Sequence, residues 1–277
     1  MPKFDKLLIG IAFSPNLKPN LFEAIRLANM FDSELVVVHV GLESKEKKAR
    51  INSLLEEVEP LKKPFTIIFQ QGKPVHVILA ICKNEKIDLL ILGALQQENL
   101  YTYYVGSIAR KITRNSPCSV LLLIKPSIKR VPCNHIVVNG LEDGKTEQTI
   151  KTAFVVSNYL NCKKITIVEE IKEEELHVIV NDDKSLRKAN IIKERLRNRE
   201  NRRINTILKE IDCTDIHIKM QSIFGKRGYS IGHYAKIKRA DLLVMSAPKK
   251  SSLLDRIFPH DLEYILFELP TDVLIVK

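Results

Sequence analysis

Lys86-Ile-Asp-Leu-Leu-Ile-Leu-Gly-Ala94 reappears as Arg239-Ala-Asp-Leu-Leu-Val-Met-Ser-Ala247. The offset is 153 residues, and it also pairs Gly72 with Gly225, Asp88 with Asp241 and Pro117 with Pro270. It sets Ser116-Pro-Cys-Ser-Val-Leu-Leu-Leu-Ile-Lys125 alongside Leu269-Pro-Thr-Asp-Val-Leu-Ile-Val-Lys277. Several anchors at one spacing make the chain two copies of one unit. At their N-terminal ends the copies match at an offset of 129, where Lys6-Leu-Leu-Ile-Gly10 faces His135-Ile-Val-Val-Asn139. The difference of 24 residues requires an insertion in the second copy between about 169 and 213. The stretch Pro126-Ser-Ile-Lys-Arg-Val-Pro132, with two prolines and no periodic pattern, separates the copies. The expected domains are therefore 1–127 and 128–277.

Within the first copy, Leu7–Ala12, Leu35–Val40, Phe65–Phe69, Leu89–Leu92 and Val120–Ile124 are short, continuously apolar runs. Such runs suit parallel strands buried on both faces. Leu21–Met30, Val75–Cys82 and Ile108–Ile112 carry apolar residues at helical spacing. The second copy repeats the pattern with Ile136–Val138, Ile165–Val168, Ile216–Met220, Leu242–Met245 and Val273–Val276. The expectation is α/β: two tandem domains, each a five-stranded, mostly parallel, Rossmann-like sheet with helices on both faces. Ligands of such sheets sit beyond the carboxyl ends of the strands. That directs attention to the loops after Ala12, Gly93, Val138 and Ser246.

After its fourth strand the first copy reads Gly93-Ala-Leu-Gln96, then nine residues, then Gly106-Ser107. This resembles the universal stress protein family, whose members carry G-x2-G-x9-G-[ST] here. The likeness extends to the strand order, to Pro117-Cys118 before the last strand and to His39 near the end of the second. It covers both halves, so the chain is similar to a tandem member of the family, with an adenine nucleotide alpha hydrolase-like fold. The resemblance implies that the last strands, Val120–Ile124 and Val273–Val276, meet across a pseudo-two-fold. It also implies an adenine-nucleotide site at Gly93, Gln96, Gly106 and Ser107, with Ala12 and Val40 at the base-contacting positions. The motif has a physical rationale. Glycines let backbone approach phosphates, and a helix N-terminus favours an anion.

The chain departs from the motif at telling places. Gln96 replaces the second glycine, and Ala12 stands where nucleotide-binding members carry Asp. In the second copy the four motif positions are Ser246, Lys249, Pro259 and His260, without a glycine. The expectation is a non-enzymatic stress-response protein, at most a weak ATPase, that binds a partner or a small anion. Its second domain would not take ATP, and ATP or AMP would be confined to the first. Asn139-Gly-Leu-Glu-Asp-Gly-Lys-Thr146 falls one glycine short of a P-loop and reads equally well as a turn before a helix.

Five dispersed cysteines without C-x-x-C spacing argue against a zinc site or disulfide framework and fit a reducing cytoplasm. No apolar stretch approaches the ~20 residues of a membrane span. The formal net charge is +11. Residues 184–209 alone hold ten basic and two acidic residues, and residues 169–183 hold seven acidic ones against Lys172. Ala189, Ile192, Leu196, Ile204, Leu208 and Ile211 share one side of a helix that would fill the insertion, near 184–211. The preceding acidic run is expected to neutralise this basic helix. Without aromatic residues for base stacking, the pattern argues against nucleic acid. It leaves self-association or a protein partner as the expected contacts.

Overall fold

The computed structural model describes residues 3–96, 103–176, 178–247 and 261–277. Its first half runs β1 (Lys6–Ile11), α1 (Leu17–Phe31), β2 (Glu34–Val40), α2 (Lys45–Glu56), β3 (Phe65–Gln70), α3 (Pro74–Asn84), β4 (Leu89–Gly93), β5 (Leu95–Gln96), β6 (Tyr103–Tyr104), α4 (Ser107–Asn115) and β7 (Ser119–Leu123). The second half runs β8 (Ile136–Asn139), α5 (Thr146–Leu160), β9 (Lys164–Ile171), a 3-10 turn (Glu173–Leu176), α6 (Asp183–Leu208), β10 (His217–Phe224), α7 (Tyr229–Ile237), β11 (Leu242–Ser246), α8 (Asp261–Phe267) and β12 (Asp272–Val276). The α/β, mostly parallel architecture expected from the sequence is what the chain adopts.

The chain divides into two compact units, Pro2–Pro132 with Leu266–Lys277, and Cys133–Ile265. In the first, β1 pairs in parallel with β2 and β4, β2 with β3, and β4 with β7. β12 joins this unit because it pairs antiparallel with β7, Val273 opposite Leu122 and Ile275 opposite Val120. The two terminal strands thus meet, as the resemblance implied. In the second unit β8 pairs in parallel with β9 and β11, and β9 with β10. Leu7, Leu8, Ile9, Leu89, Leu90 and Ile91 are buried, as are Ile136, Val137, Val138 and Leu243. The continuous apolar runs follow from this two-sided burial.

The repeat recurs in the backbone. Asp32 and Asn161 both end helices in the left-handed region, with φ 53° and 56°. Lys86 and Arg239 repeat that conformation before β4 and β11, with φ 52° and 50°. The shared Asp has the same duty in both units. The Asp88 carboxylate accepts the Lys6 amide at 2.9 Å, and that of Asp241 accepts the Asn134 and His135 amides at 2.7 and 3.0 Å. Their own amides donate back to Lys6 O and His135 O at 2.9 Å each.

The insertion is also located. α2 has 12 residues and α6 has 26, the latter opened by a capping box between Asp182 and Ser185. Four of the five dispersed cysteines come together without a disulfide, Cys82 beside Cys118 and Cys162 beside Cys133. A hydrogen bond with Cys118, aided by burial, pushes the Cys82 thiol well up. A hydrogen bond with Cys133 draws Cys162 down to about 7 against the effect of burial.

Because Asp88 and Asp241 each tie the start of a first strand to the start of a fourth, Asp88→Ala and Asp241→Ala should each cost about 1–2 kcal/mol in urea unfolding. A loss below ~0.3 kcal/mol at both sites would show that these bonds are not structural anchors.

Candidate functional site

The carboxyl ends of β1, β2 and β4 bring the expected residues of the first unit to one edge of the sheet. Gly93 closes β4 opposite Leu123, and a Cβ there would lie 3.0 Å from both amide atoms of the Asn20 side chain. A side chain at Gly93 would press on the Asn20 amide, which would have to shift by a few tenths of an ångström. Asn20 Oδ1 is buried there without a hydrogen-bond partner. Leu95 and Gln96 form β5, which pairs with β6 so that Gln96 lies opposite Tyr103. The motif's spacer thus begins and ends as a small antiparallel ribbon.

Gly106 is the N-cap of α4, has no side chain to cap it, and among the described residues no other side chain does so. The first intrahelical bond runs from Arg110 N to Gly106 O at 2.9 Å. The amides of Ser107, Ile108 and Ala109 precede it, and Ser107 is exposed. Free first-turn amides on a helix dipole form a receptor for an anion. A Cβ on Gly106 would come within 2.9 Å of the Leu95 side chain, itself half exposed.

Ala12 and Val40 stand at the ends of their strands, and Ala12 is exposed. A methyl group offers no acceptor for a base or ribose. Phe13 instead packs edge-on against His39, with ring centroids 4.8 Å apart. Lys47 Nζ and the Arg50 guanidinium lie 5.7 and 5.9 Å from the Phe13 ring centre. His39 is held at both nitrogens, Nδ1 3.3 Å from Ile11 O and Nε2 3.3 Å from Lys47 Nζ. The ammonium can only donate, so in the neutral ring Nδ1 carries the proton toward Ile11 O. Sequence reasoning overlooked this aromatic and basic cluster because its members come from three separate segments.

The second unit fills the corresponding places with carboxylates. After β8, the Asp143 side chain accepts the Lys145 amide at 2.6 Å and the Ser246 hydroxyl at 2.8 Å. Thr146 is buried, and its hydroxyl accepts the Asp143 amide at 2.9 Å while donating to Leu141 O. A turn, not a phosphate cradle, therefore accounts for Asp143-Gly-Lys-Thr146. Lys249, Pro259 and His260 lie outside the described residues.

Glu170 accepts the amides of Gly228 and Ile231 at 2.9 and 2.7 Å, capping α7 with a buried carboxylate. Gly228 adopts φ 77°, where glycine is favoured. Beside it, Glu169 is 2% exposed, accepts Ser222 Oγ at 3.0 Å and leaves Oε1 without a partner. Both line a cavity of about 20 Å³ with Glu142, Arg199, Glu200 and Arg227. That is room for about one water molecule. Among the described residues no group of three or more His, Cys, Asp or Glu is arranged to hold a metal ion. The sequence signal was a Glu-Glu pair closing an apolar run, counted there only as charge.

Burial pushes the Glu169 carboxyl from its ordinary value of 4.5 up to about 6, with Glu200 adding to the rise and Ser222 opposing it. A folded pKa above the unfolded one stabilises the protonated state. This contribution is complete below about 4.5 and is lost as pH rises through about 6. Glu169→Gln keeps an acceptor for Ser222 and should gain about 2 kcal/mol over the unmodified protein between pH 4.5 and 6.5. Parallel stability profiles for the two proteins across that range would contradict this assignment.

Residues 41–123 match the universal stress protein family profile. A universal stress protein of Methanocaldococcus jannaschii is 28% identical over 122 residues, covering 37% of this chain and 72% of that protein. One from Bacillus subtilis (strain 168) is 25% identical over 146 residues, covering 43% of this chain and 99% of that protein. The fold is shared over the whole chain with a functionally unknown protein from Pseudomonas aeruginosa PAO1, with TM-score 0.74, 17% identity and coverage of 99% and 92%. It is shared likewise with a universal stress protein from Archaeoglobus fulgidus DSM 4304, with TM-score 0.65, 15% identity and coverage of 98% of both chains. Residues 41–123 match the family profile, and the chain is similar to universal stress proteins in sequence over part of its length and in fold over nearly all of it.

Proposed function

We propose that the chain is a non-catalytic binding protein whose first domain takes a small polyanion at the first turn of α4. The observation that carries this reading is the Gly106 N-cap, whose following amides have no side-chain acceptor among the described residues. Gly93, Gly106 and Ser107 act as the anion-facing residues, and Lys47 and Arg50 add positive potential along the same edge. Ala12 supplies no anchor for a base, so the site recognises phosphate groups rather than the nucleoside. The domains are taken as 1–127 and 128–277, each one universal-stress-like unit. The second takes no nucleotide in the family manner, because Asp143 already holds the amide and hydroxyl that a phosphate would use. Free thiols and the lack, among the described residues, of a helix long and apolar enough to cross a membrane support action in the cytoplasm. A second reading is favoured by the Phe13 ring beside His39: ATP in the first domain with its base against that ring.

Titration calorimetry with ATP and inorganic tripolyphosphate separates the two readings. The proposal expects weak binding of both, equal within about threefold, and its loss in Ser107→Asp, which puts a competing carboxylate on the same amides without harming the helix. Sub-micromolar ATP binding with more than tenfold preference over tripolyphosphate would instead establish the second reading. Undiminished binding by Ser107→Asp would place the anion elsewhere.

A further inference from the structure

Along α6, the residues Lys184, Lys188, Arg195 and Arg202 follow at spacings of four, seven and seven, so they return to one side of the helix. All four are exposed, as are the flanking Arg187, Asn198 and Thr206. From Lys184 to Arg202 the stripe is ~27 Å long. The opposite side faces the body of the second unit through Ala189 and Ile204, both buried.

The acidic run before this helix does not neutralise the stripe. Glu169 and Glu170 are buried at the end of β9, where Glu170 caps α7. Glu175 reaches Arg199 at 3.7 Å, and Glu200 is taken by Arg199 and Arg203 at 2.8 Å each. Among the described residues, Lys184, Arg187, Lys188, Arg195, Arg197 and Arg202 have no carboxylate within ion-pair distance. A fixed line of cations without counter-charges is complementary to a regular line of anions.

We propose that this side of α6 is a docking surface for double-stranded DNA, bound through its phosphates. A duplex carries evenly spaced phosphates along both strands, and the stripe matches about eight base pairs of it. Arginine, lysine, asparagine and threonine are the side chains that hold phosphate oxygens. A B-form major groove is also wide enough to admit a helix, whereas the A-form groove of RNA is not. Lack of aromatic residues on the helix disfavours single strands, which need stacking, but not a duplex. A bilayer would need a continuous apolar helix face, and α6 exposes only Leu186 and Ile191 as large apolar residues, with Ala189 and Ile204 buried against the protein.

The test is fluorescence anisotropy of a labelled 20-base-pair duplex with the full chain. Four phosphate contacts should weaken binding about 100-fold between 50 and 200 mM salt. The triple variant Lys188→Ala, Arg195→Ala, Arg202→Ala should lose at least tenfold in affinity at 50 mM salt and most of the salt dependence. A charge-matched control, Lys45→Ala, Lys129→Ala, Arg130→Ala, alters exposed cations of the other unit and should bind as the unmodified protein does. Thermal melts verify that all three proteins are folded. No binding at 50 mM salt, or an equal loss in the control, would overturn the proposal. So would tighter binding to a single-stranded oligonucleotide, an RNA duplex or phosphatidylserine vesicles.

Discussion

Backbone amides at the carboxyl edge of a parallel sheet must find acceptors, and the differences between the two units follow from how each one supplies them. Most of the parallel strands lead through a loop into a helix, and the first amides of that helix have no partner within it. Among the described residues of the first unit, the first turn of α4 has no side-chain cap. The second answers the same need with its own carboxylates, Glu170 on the amides of Gly228 and Ile231 and Asp143 on that of Lys145. One fold, used twice, thus has an uncapped glycine opening α4 in one unit and carboxylates on the loops that open α5 and α7 in the other.

Burying those carboxylates has consequences around them. Glu169 and Glu200 lie in the same pocket, and Glu200 is compensated by Arg199 and Arg203 of α6. An unpaired buried charge is costly, so the long helix is held at this point by groups that cannot readily be exchanged. The Arg203 guanidinium also donates to Gly140 O, fastening the helix to the loop after β8. The same anchoring holds Glu169, Glu170 and Glu200 inside the unit, while Lys188, Arg195 and Arg202 stay exposed on the outer side of α6.

The repeat, the parallel strands and the position of the insertion were legible in the sequence. They rest on buried apolar runs and on residues with fixed local duties, such as Asp88 and Asp241. Gly93 and Gly106 were legible as positions but not in their roles. The folded chain sets Asn20 against the first and, among the described residues, leaves the helix at the second without a side-chain cap. The Phe13, His39 and Lys47 cluster was not legible, because strand register brings together residues far apart in the chain. The neutralised basic helix was an error of counting charge by proximity in sequence. Alternation along β9 and capping of α7 turn Glu169 and Glu170 inward, away from the basic stripe.

The most direct test of this division of labour is an amide chemical-shift titration of the labelled full chain with tripolyphosphate. Shifts concentrated at Ser107, Ile108 and Ala109, with the amides of Lys145, Gly228 and Ile231 unmoved, are the result expected. Shifts at Lys145, Gly228 or Ile231 equal to or larger than those at the start of α4 would contradict it.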